Sequence, residues 1–180
     1  MQTVSKMLWC ICLVVLLWGW LSPLPMVWAA NPSHVLQLLD THLCARCDLR
    51  YANLPLLQVA GGNLLAADLE GANLAGGNLA KMIMSRANLR RSNLTNTNFR
   101  GAKLVLADFS YAKLKHTDLA QANLENAIFR SALLDGVDLR GSNLRLADFS
   151  DARLHNTSLE SATLCQTTLP DRSLSNRDCK

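Results

Sequence analysis

Aromatic residues make up only 6 per cent of this 180-residue chain, although 49 per cent of it is hydrophobic. A core with so few rings has to be built from aliphatic side chains in a regular lattice. A dominant charge is missing too. The formal net charge is +4, and it falls to +3 without Lys6, which does not suggest a nucleic-acid binder. The chain carries no phosphate loop, no metal-binding motif and no nucleophile–base pattern. No catalytic residue, metal or cofactor is therefore expected. One absence is local: residues 71–107 contain no Asp or Glu.

What is there begins with a leader. Lys6 precedes an apolar stretch at residues 7–21, and the Val-Trp-Ala at 27–29 has the small residue of a cleavage site. The first 29 residues therefore read as a secretory signal cleaved after Ala29. The apolar run is short for a membrane span, which needs about 20 residues, so an uncleaved anchor is the weaker reading. Cys10 and Cys12 leave with the leader. Cys44, Cys47, Cys165 and Cys179 remain, and an even count on an exported chain favours disulfides.

From residue 49 to residue 169 an apolar residue recurs every fifth position, in 25 consecutive pentads without an insertion. Leu or Phe fills 23 of these centres, Val59 and Met84 the other two. The position two before the centre is small or Val in 23 of 25, with Leu57 and Met82 as exceptions, and the position between is Asn or Asp in 15. A helix cannot use this period: five residues turn through about 500°, so successive leucines scatter around the surface. A straight strand fails as well, because an odd period alternates faces. The period fits a chain that bends once per pentad. The centre and the small residue two before it then point inward, the Asn or Asp between them points outward, and the other two residues form a corner.

Phe109, Phe129 and Phe149 are spaced by twenty. If four pentads make a coil, these rings form one internal column and Phe99 lies on the opposite wall. The expectation is an all-β solenoid, a four-sided parallel β-helix of about six coils. The departures at Leu57–Val59 and Met82–Met84 predict bulges or loose packing.

The consensus A(D/N)LXX, carried by "SRANLRRSNLTNTNFRGAKL" and "QANLENAIFRSALLDGVDLRGSNL", resembles the pentapeptide repeat family over residues 47–169. The resemblance implies a right-handed four-sided β-helix, mostly without catalytic activity. The flanks "LLDTHLCARCDLRYANL" and "LCQTTLPDRSLSNRDC" resemble those of exported cyanobacterial and thylakoid-lumen members.

A coiled rod leaves two open edges that need caps. Residues 33–43 predict a short capping helix, started by Asn31 or Ser33 with Pro32 in the first turn, and with Val35, Leu36, Leu39 and Leu43 over the first coil. The expected organisation is a leader at 1–29, a cap at 30–46, the coils at 47–169 and a tail at 170–180. Cys44 and Cys47 form a CxxC. A structural disulfide is the first reading, a redox pair the second and a metal site with His42 the third. Cys165 and Cys179 are expected to pair and clamp the tail.

Candidate surface features are few. His34 and His42 belong to the cap, and His116 and His155 fall at solvated corners. Asp48, Asp68, Asp108 and Asp148 share one outer wall with Asn88 and Ile128 interspersed, and their ligands do not converge on a cation site. Lys81, Arg86, Arg90, Arg91, Arg100 and Lys103 lie in the acid-free stretch and form a basic belt, whereas residues 108–151 hold seven acids. Composition drift on solvated corners is the plainer reading. The sharper one is docking of an anionic partner or lipid surface, favoured by Ile83 within the belt. Ile128 and Leu133 also hold nominally outward positions.

The favoured function is an exported, non-catalytic scaffold or protein-interaction module in the periplasm or thylakoid lumen. A thiol-redox protein using Cys44 and Cys47 is the alternative. A third reading follows the quinolone-resistance branch of the resembling family, which implies an acidic DNA-mimicking rod that binds a topoisomerase; the leader and the positive charge oppose it.

Overall fold

A computed structural model describes residues 30–180; the leader lies outside the described residues. The helix α1 spans Pro32–Thr41. The Oδ1 of Asn31 caps it by accepting the backbone N–H of Ser33, and Pro32 supplies the fixed φ of the first turn. His42 ends it at φ 57° and donates its backbone N–H to the Leu38 carbonyl. No helix among the described residues is long and apolar enough to cross a membrane.

From Leu43 on, each outward position except Asp138 bridges in parallel to the residue twenty later, from Leu43–Asn63 through Asp148–Thr168. Twenty residues therefore make one coil, and the bridges fall into four rows. On one wall they lengthen into strands β1 (Lys113–Lys115), β2 (Leu133–Asp135) and β3 (Arg153–His155), in the order β1–β2–β3. A typical corner is a tight turn closed by a backbone bond such as Ala52 N–H to the Leu49 carbonyl. Its third residue takes positive φ, and side chains as large as Tyr111, Leu106 and Arg91 are accepted there. A left-handed residue costs about 1–2 kcal/mol, and the corner retains it because ladder bonds hold both sides.

The core follows from the pentad. The centres and the small residues two before them are buried together along the coils. Phe109, Phe129 and Phe149 stack with centroids 4.8 and 4.6 Å apart and planes within 3°. Phe99 meets Phe109 edge-on at 6.5 Å from across the interior. Buried hydroxyls are used by the backbone: Thr97, Thr117 and Thr167 donate to the carbonyls of Leu74, Leu94 and Leu144.

The irregular pentads do not bulge. Leu57, Val59, Met82 and Met84 are all buried, and the bridges Gln58–Asn78 and Asn63–Ile83–Lys103 run through them in register. Large and small residues compensate between neighbouring coils. Met82 stands at the same inward position as Gly62 one coil earlier, and a Cβ on Gly62 would lie 2.9 Å from the Met82 Cε and 2.3 Å from the His42 carbonyl oxygen. Because that oxygen belongs to the backbone, Gly62→Ala is expected to cost about 1–3 kcal/mol. Chemical denaturation reads this loss, and adding Met82→Ala recovers only part of it, since the carbonyl remains.

The helix presents a different face from the one its leucines suggested. Leu38 is fully buried and Val35 packs against the core, whereas Leu36, Leu39 and Leu43 are about half exposed. Leu36, Leu38 and Leu39 offer two competing stripes in a ten-residue helix, and the stripe through Leu38 and Val35 meets the coil.

Candidate functional site

The outward Asn and Asp residues have a backbone task. Their Oδ1 atoms accept the N–H two residues on, at the start of the following corner; Asn63 to Leu65 (2.8 Å) and Asp118 to Ala120 (2.8 Å) are examples. The amide then reaches the next coil: Asn73 donates to Asn53 at 2.8 Å and accepts from Asn93 at 3.1 Å. Asn73→Ala removes a middle rung and the corner acceptor together. The expected cost is about 1 kcal/mol, checked by thermal or denaturant unfolding against Asn53→Ala at the end of the ladder.

The carboxylate column forms as one row, Asp48–Asp68–Asn88–Asp108–Ile128–Asp148. Asp48 and Asp68 are neighbours in it, so spacing alone does not separate like charges. Arginines do. The Arg50 guanidinium lies 2.7 Å from Asp48 and 3.7 Å from Asp68. Arg90 reaches Asp108 at 3.1 Å, and Arg130 binds Asp148 one coil on. Among the described residues no group of His, Cys, Asp and Glu is arranged to hold a metal ion.

The hydrogen bond from Arg50 holds the Asp48 carboxyl down at about 2, against an ordinary value of 3.8. The depressed value sets the sign: this pair stabilises the fold above about pH 4, and its contribution is lost as pH falls through about 2. The pair is partly exposed, so solvent screens it and the effect is expected to be small. Arg50→Gln should narrow the difference between stability measured at pH 5 and at pH 2.

The two edges are closed by polar side chains. At the first coil, the His34 Nδ1 accepts the Asp48 N–H at 3.0 Å, and Asn31 N–H reaches the Asp48 carbonyl. His42 contributes its backbone, accepting from Asn63 N–H. At the last coil the tail turns back through the antiparallel pair β4 (Thr167–Thr168) and β5 (Leu174–Ser175). The Asp178 carboxylate accepts the Leu164 N–H at 2.8 Å, and Arg177 donates to the Ala162 carbonyl. Sequence reasoning missed these capping roles of His34 and Asp178, because their partners lie 14 residues away along the chain.

The cysteines meet in two pairs. Cys44 and Cys47 Sγ atoms are 2.01 Å apart across one corner, and those of Cys165 and Cys179 are 2.05 Å apart across the tail. Cys44 and Cys47 are buried, at 0 and 3 per cent exposure, with the Cys44 Sγ against the His34 carbonyl of α1, which restricts the access of an attacking thiol.

The basic belt divides. Arg90 and Arg91 are held by Asp108 and Glu70, and both guanidiniums lie against the Tyr111 ring at 5.6 and 5.8 Å. Arg100 sits 3.9 Å from Asp118. Among the described residues, Lys81, Arg86 and Lys103 form no ion pair and are exposed. His116 and His155 stand exposed at corners, as does Leu133 on its wall, whereas Ile83 and Ile128 are half-buried. Two grooves stand out among the described residues. One, of about 460 Å³, is apolar and lies between Pro32, Val35 and Leu36 of α1 and Tyr51 and Leu54 of the first coil. The other, of about 290 Å³, lies over Ala120 between Arg100 and Arg140.

The family model described as pentapeptide repeats (8 copies) matches residues 67–105, 107–145 and 132–169. No curated protein matches the chain. Among solved structures, the chain is similar to HetL, a pentapeptide repeat protein involved in heterocyst differentiation regulation in the cyanobacterium Nostoc sp. strain PCC 7120. Identity is 30 per cent and the TM-score 0.60, over 74 per cent of this chain and 66 per cent of HetL. It is likewise similar to a pentapeptide repeat protein of the Arabidopsis thaliana thylakoid lumen, at 30 per cent identity and TM-score 0.54, over 56 per cent of this chain and 70 per cent of that one. The cyanobacterial protein Rfr23 of Cyanothece 51142 shares the fold at 24 per cent identity and TM-score 0.52, over 72 per cent of this chain and 96 per cent of its own. With the family pattern matched over more than half its length and parallel bridges repeating every twenty residues, the chain belongs to the pentapeptide repeat family.

Proposed function

We propose that this protein is an exported, non-catalytic scaffold: a right-handed, four-sided β-helical rod that presents its walls to a partner protein in an oxidising compartment, the periplasm or the thylakoid lumen. The proposed mature chain starts at Ala30, with its cap at 30–46, its coils at 47–169 and its clamped tail at 170–180. The observation that carries this reading is the use of the interior. It is filled by aliphatic and phenylalanine side chains, and among the described residues no buried side-chain polar atom lacks a hydrogen-bond partner. Groups kept for chemistry are ordinarily poised in a cleft with perturbed protonation. Here the perturbed carboxylates are explained by surface arginines and corner hydroxyls or N–H groups. The two cysteine pairs and the likeness to a lumenal protein support export.

The redox alternative rests on Cys44 and Cys47, and their burial speaks against it. Intact mass of the protein from its native host tests both readings, measured after thiol alkylation with and without reduction. The expected result is a chain beginning at Ala30 whose four cysteines alkylate only after reduction. Free Cys44 and Cys47 beside a closed Cys165–Cys179 bridge would favour thiol chemistry at the cap. An uncleaved chain with every thiol free would overturn export.

A further inference from the structure

Two of the four bridged rows hold cations beside an apolar residue and no acid. The first runs Leu43–Asn63–Ile83–Lys103–Asn123–Asn143–Thr163, and the second, on the opposite wall, Asn53–Asn73–Asn93–Lys113–Leu133–Arg153. Lys81 and Arg86 stand at the left-handed corners on either side of Ile83, and Lys103 follows Ile83 one coil on. On the other walls most cations are answered by acids one coil away or two residues back, as in Arg90–Asp108, Lys115–Asp135 and Arg140–Asp138; Lys113 and Arg153 form no ion pair among the described residues but stand two coils apart, whereas Lys81, Arg86 and Lys103 gather within two neighbouring coils. Around Ile83 no ion pair forms among the described residues. Glu125, on the corner after Asn123, accepts from the Asn143 amide.

The same wall carries exposed apolar side chains at one of its corners: Leu65 at 38, Leu106 at 46 and Leu146 at 44 per cent exposure. Leu106 and Leu146 are two coils apart, roughly 10 Å, with Asn126 between them. They are single apolar side chains set among cations and amides. A protein-binding hot spot needs a contiguous, desolvated centre around its anchors, and this wall has none. The headgroup region of a bilayer makes no such demand. It accepts isolated Leu, Ile and Val side chains between Lys and Arg residues whose stems lie along the surface and whose charges meet anionic headgroups.

We propose that this wall is a docking surface for an anionic lipid membrane, with Lys81, Arg86 and Lys103 facing the headgroups and Leu106 and Leu146 entering the interface. The rod then lies along the membrane and leaves the opposite wall, with Lys113, Leu133 and Arg153, facing away.

The test uses equal-part phosphatidylglycerol–phosphatidylcholine vesicles at low salt, with pure phosphatidylcholine vesicles as the neutral control. Each cation at an anionic surface is worth about fivefold in partitioning. Arg86→Gln with Lys103→Gln should therefore weaken binding about 30-fold, while Lys113→Gln with Arg153→Gln, the same change of charge on the opposite wall, should weaken it by less than about threefold. An environment-sensitive label on Leu106→Cys should shift its emission on binding, and the same label on Leu133→Cys should not. That contrast compares two walls of one molecule, so it holds whether or not residues 1–29 are removed. No partitioning onto anionic vesicles, equal losses from the two pairs, or a label response at 133 as large as at 106 would each overturn the proposal. Binding of polyglutamate through Arg86 and Lys103 without binding of vesicles would overturn it in favour of an acidic protein partner.

Discussion

Phe129→Ala should lower the stability of the protein by about 4 kcal/mol, in the middle of the range for a buried phenylalanine. The ring is the middle of three, stacked on both faces at 4.8 and 4.6 Å by Phe109 and Phe149. Its removal takes away transfer energy and both ring contacts. Relaxation is limited, because the coils on either side are pinned by ladder bonds around Phe129: its N–H binds the Asp148 carbonyl and the Phe109 N–H binds the Ile128 carbonyl. The walls cannot close on the gap without breaking that register, so the cavity persists. Two comparisons isolate the stacking. Phe149→Ala loses one ring partner instead of two and should cost less, and Phe129→Leu keeps most of the volume and should cost roughly 1–1.5 kcal/mol. Urea unfolding supplies the reading: the midpoint should fall in the order Phe129→Leu, Phe149→Ala, Phe129→Ala, with the slope unchanged. Equal midpoints for the two alanine variants would mean that the stack adds nothing beyond burial.

The same column shows what the sequence could reveal. A spacing of twenty between phenylalanines becomes a stack only when four corners return the chain to the same wall, and both facts are local arithmetic on the pentad. The inward pair and the outward Asn or Asp follow from strand alternation once a bend per pentad is accepted. What was not legible depends on relations between coils or on competing local patterns. Met82 fits because Gly62, twenty residues earlier, yields space. Arg90, Arg91 and Arg100 belong to ion pairs with partners 18 to 21 residues distant, so a belt that looks uniform along the chain is half neutralised in space. Lys81, Arg86 and Lys103 escape because the positions beside them in neighbouring coils hold no acid. The face of α1 was misjudged for a different reason: a ten-residue helix with leucines at 36, 38 and 39 has no single stripe, and only docking selects Leu38.

Replacing Cys165 and Cys179 by serine should cost about 3 kcal/mol, and the loss should appear first at the C-terminal coil. The bridge closes a loop of 15 residues, from 165 to 179. Loop-closure entropy gives roughly 3 kcal/mol for that length, against roughly 2 kcal/mol for the four residues from Cys44 to Cys47. The tail also does structural work that the bridge keeps in place. Asp178 accepts the Leu164 N–H, Asn176 accepts the Gln166 N–H, and Arg177 donates to the Ala162 carbonyl. These groups belong to the last coil, where no further coil supplies ladder partners. Without the bridge the tail can leave, and the freed N–H and C=O groups form an open edge able to pair with another chain. The double serine variant should therefore show fast amide exchange at Leu164 and Gln166 while the coils around Phe109 and Phe129 stay protected, and it should self-associate with rising concentration. Asp178→Ala with the bridge intact separates the two contributions: it should expose the Leu164 N–H but leave the tail attached and the protein monodisperse. If the serine variant instead loses protection evenly along all coils, the rod unfolds as one cooperative unit, and the tail acts through global stability alone.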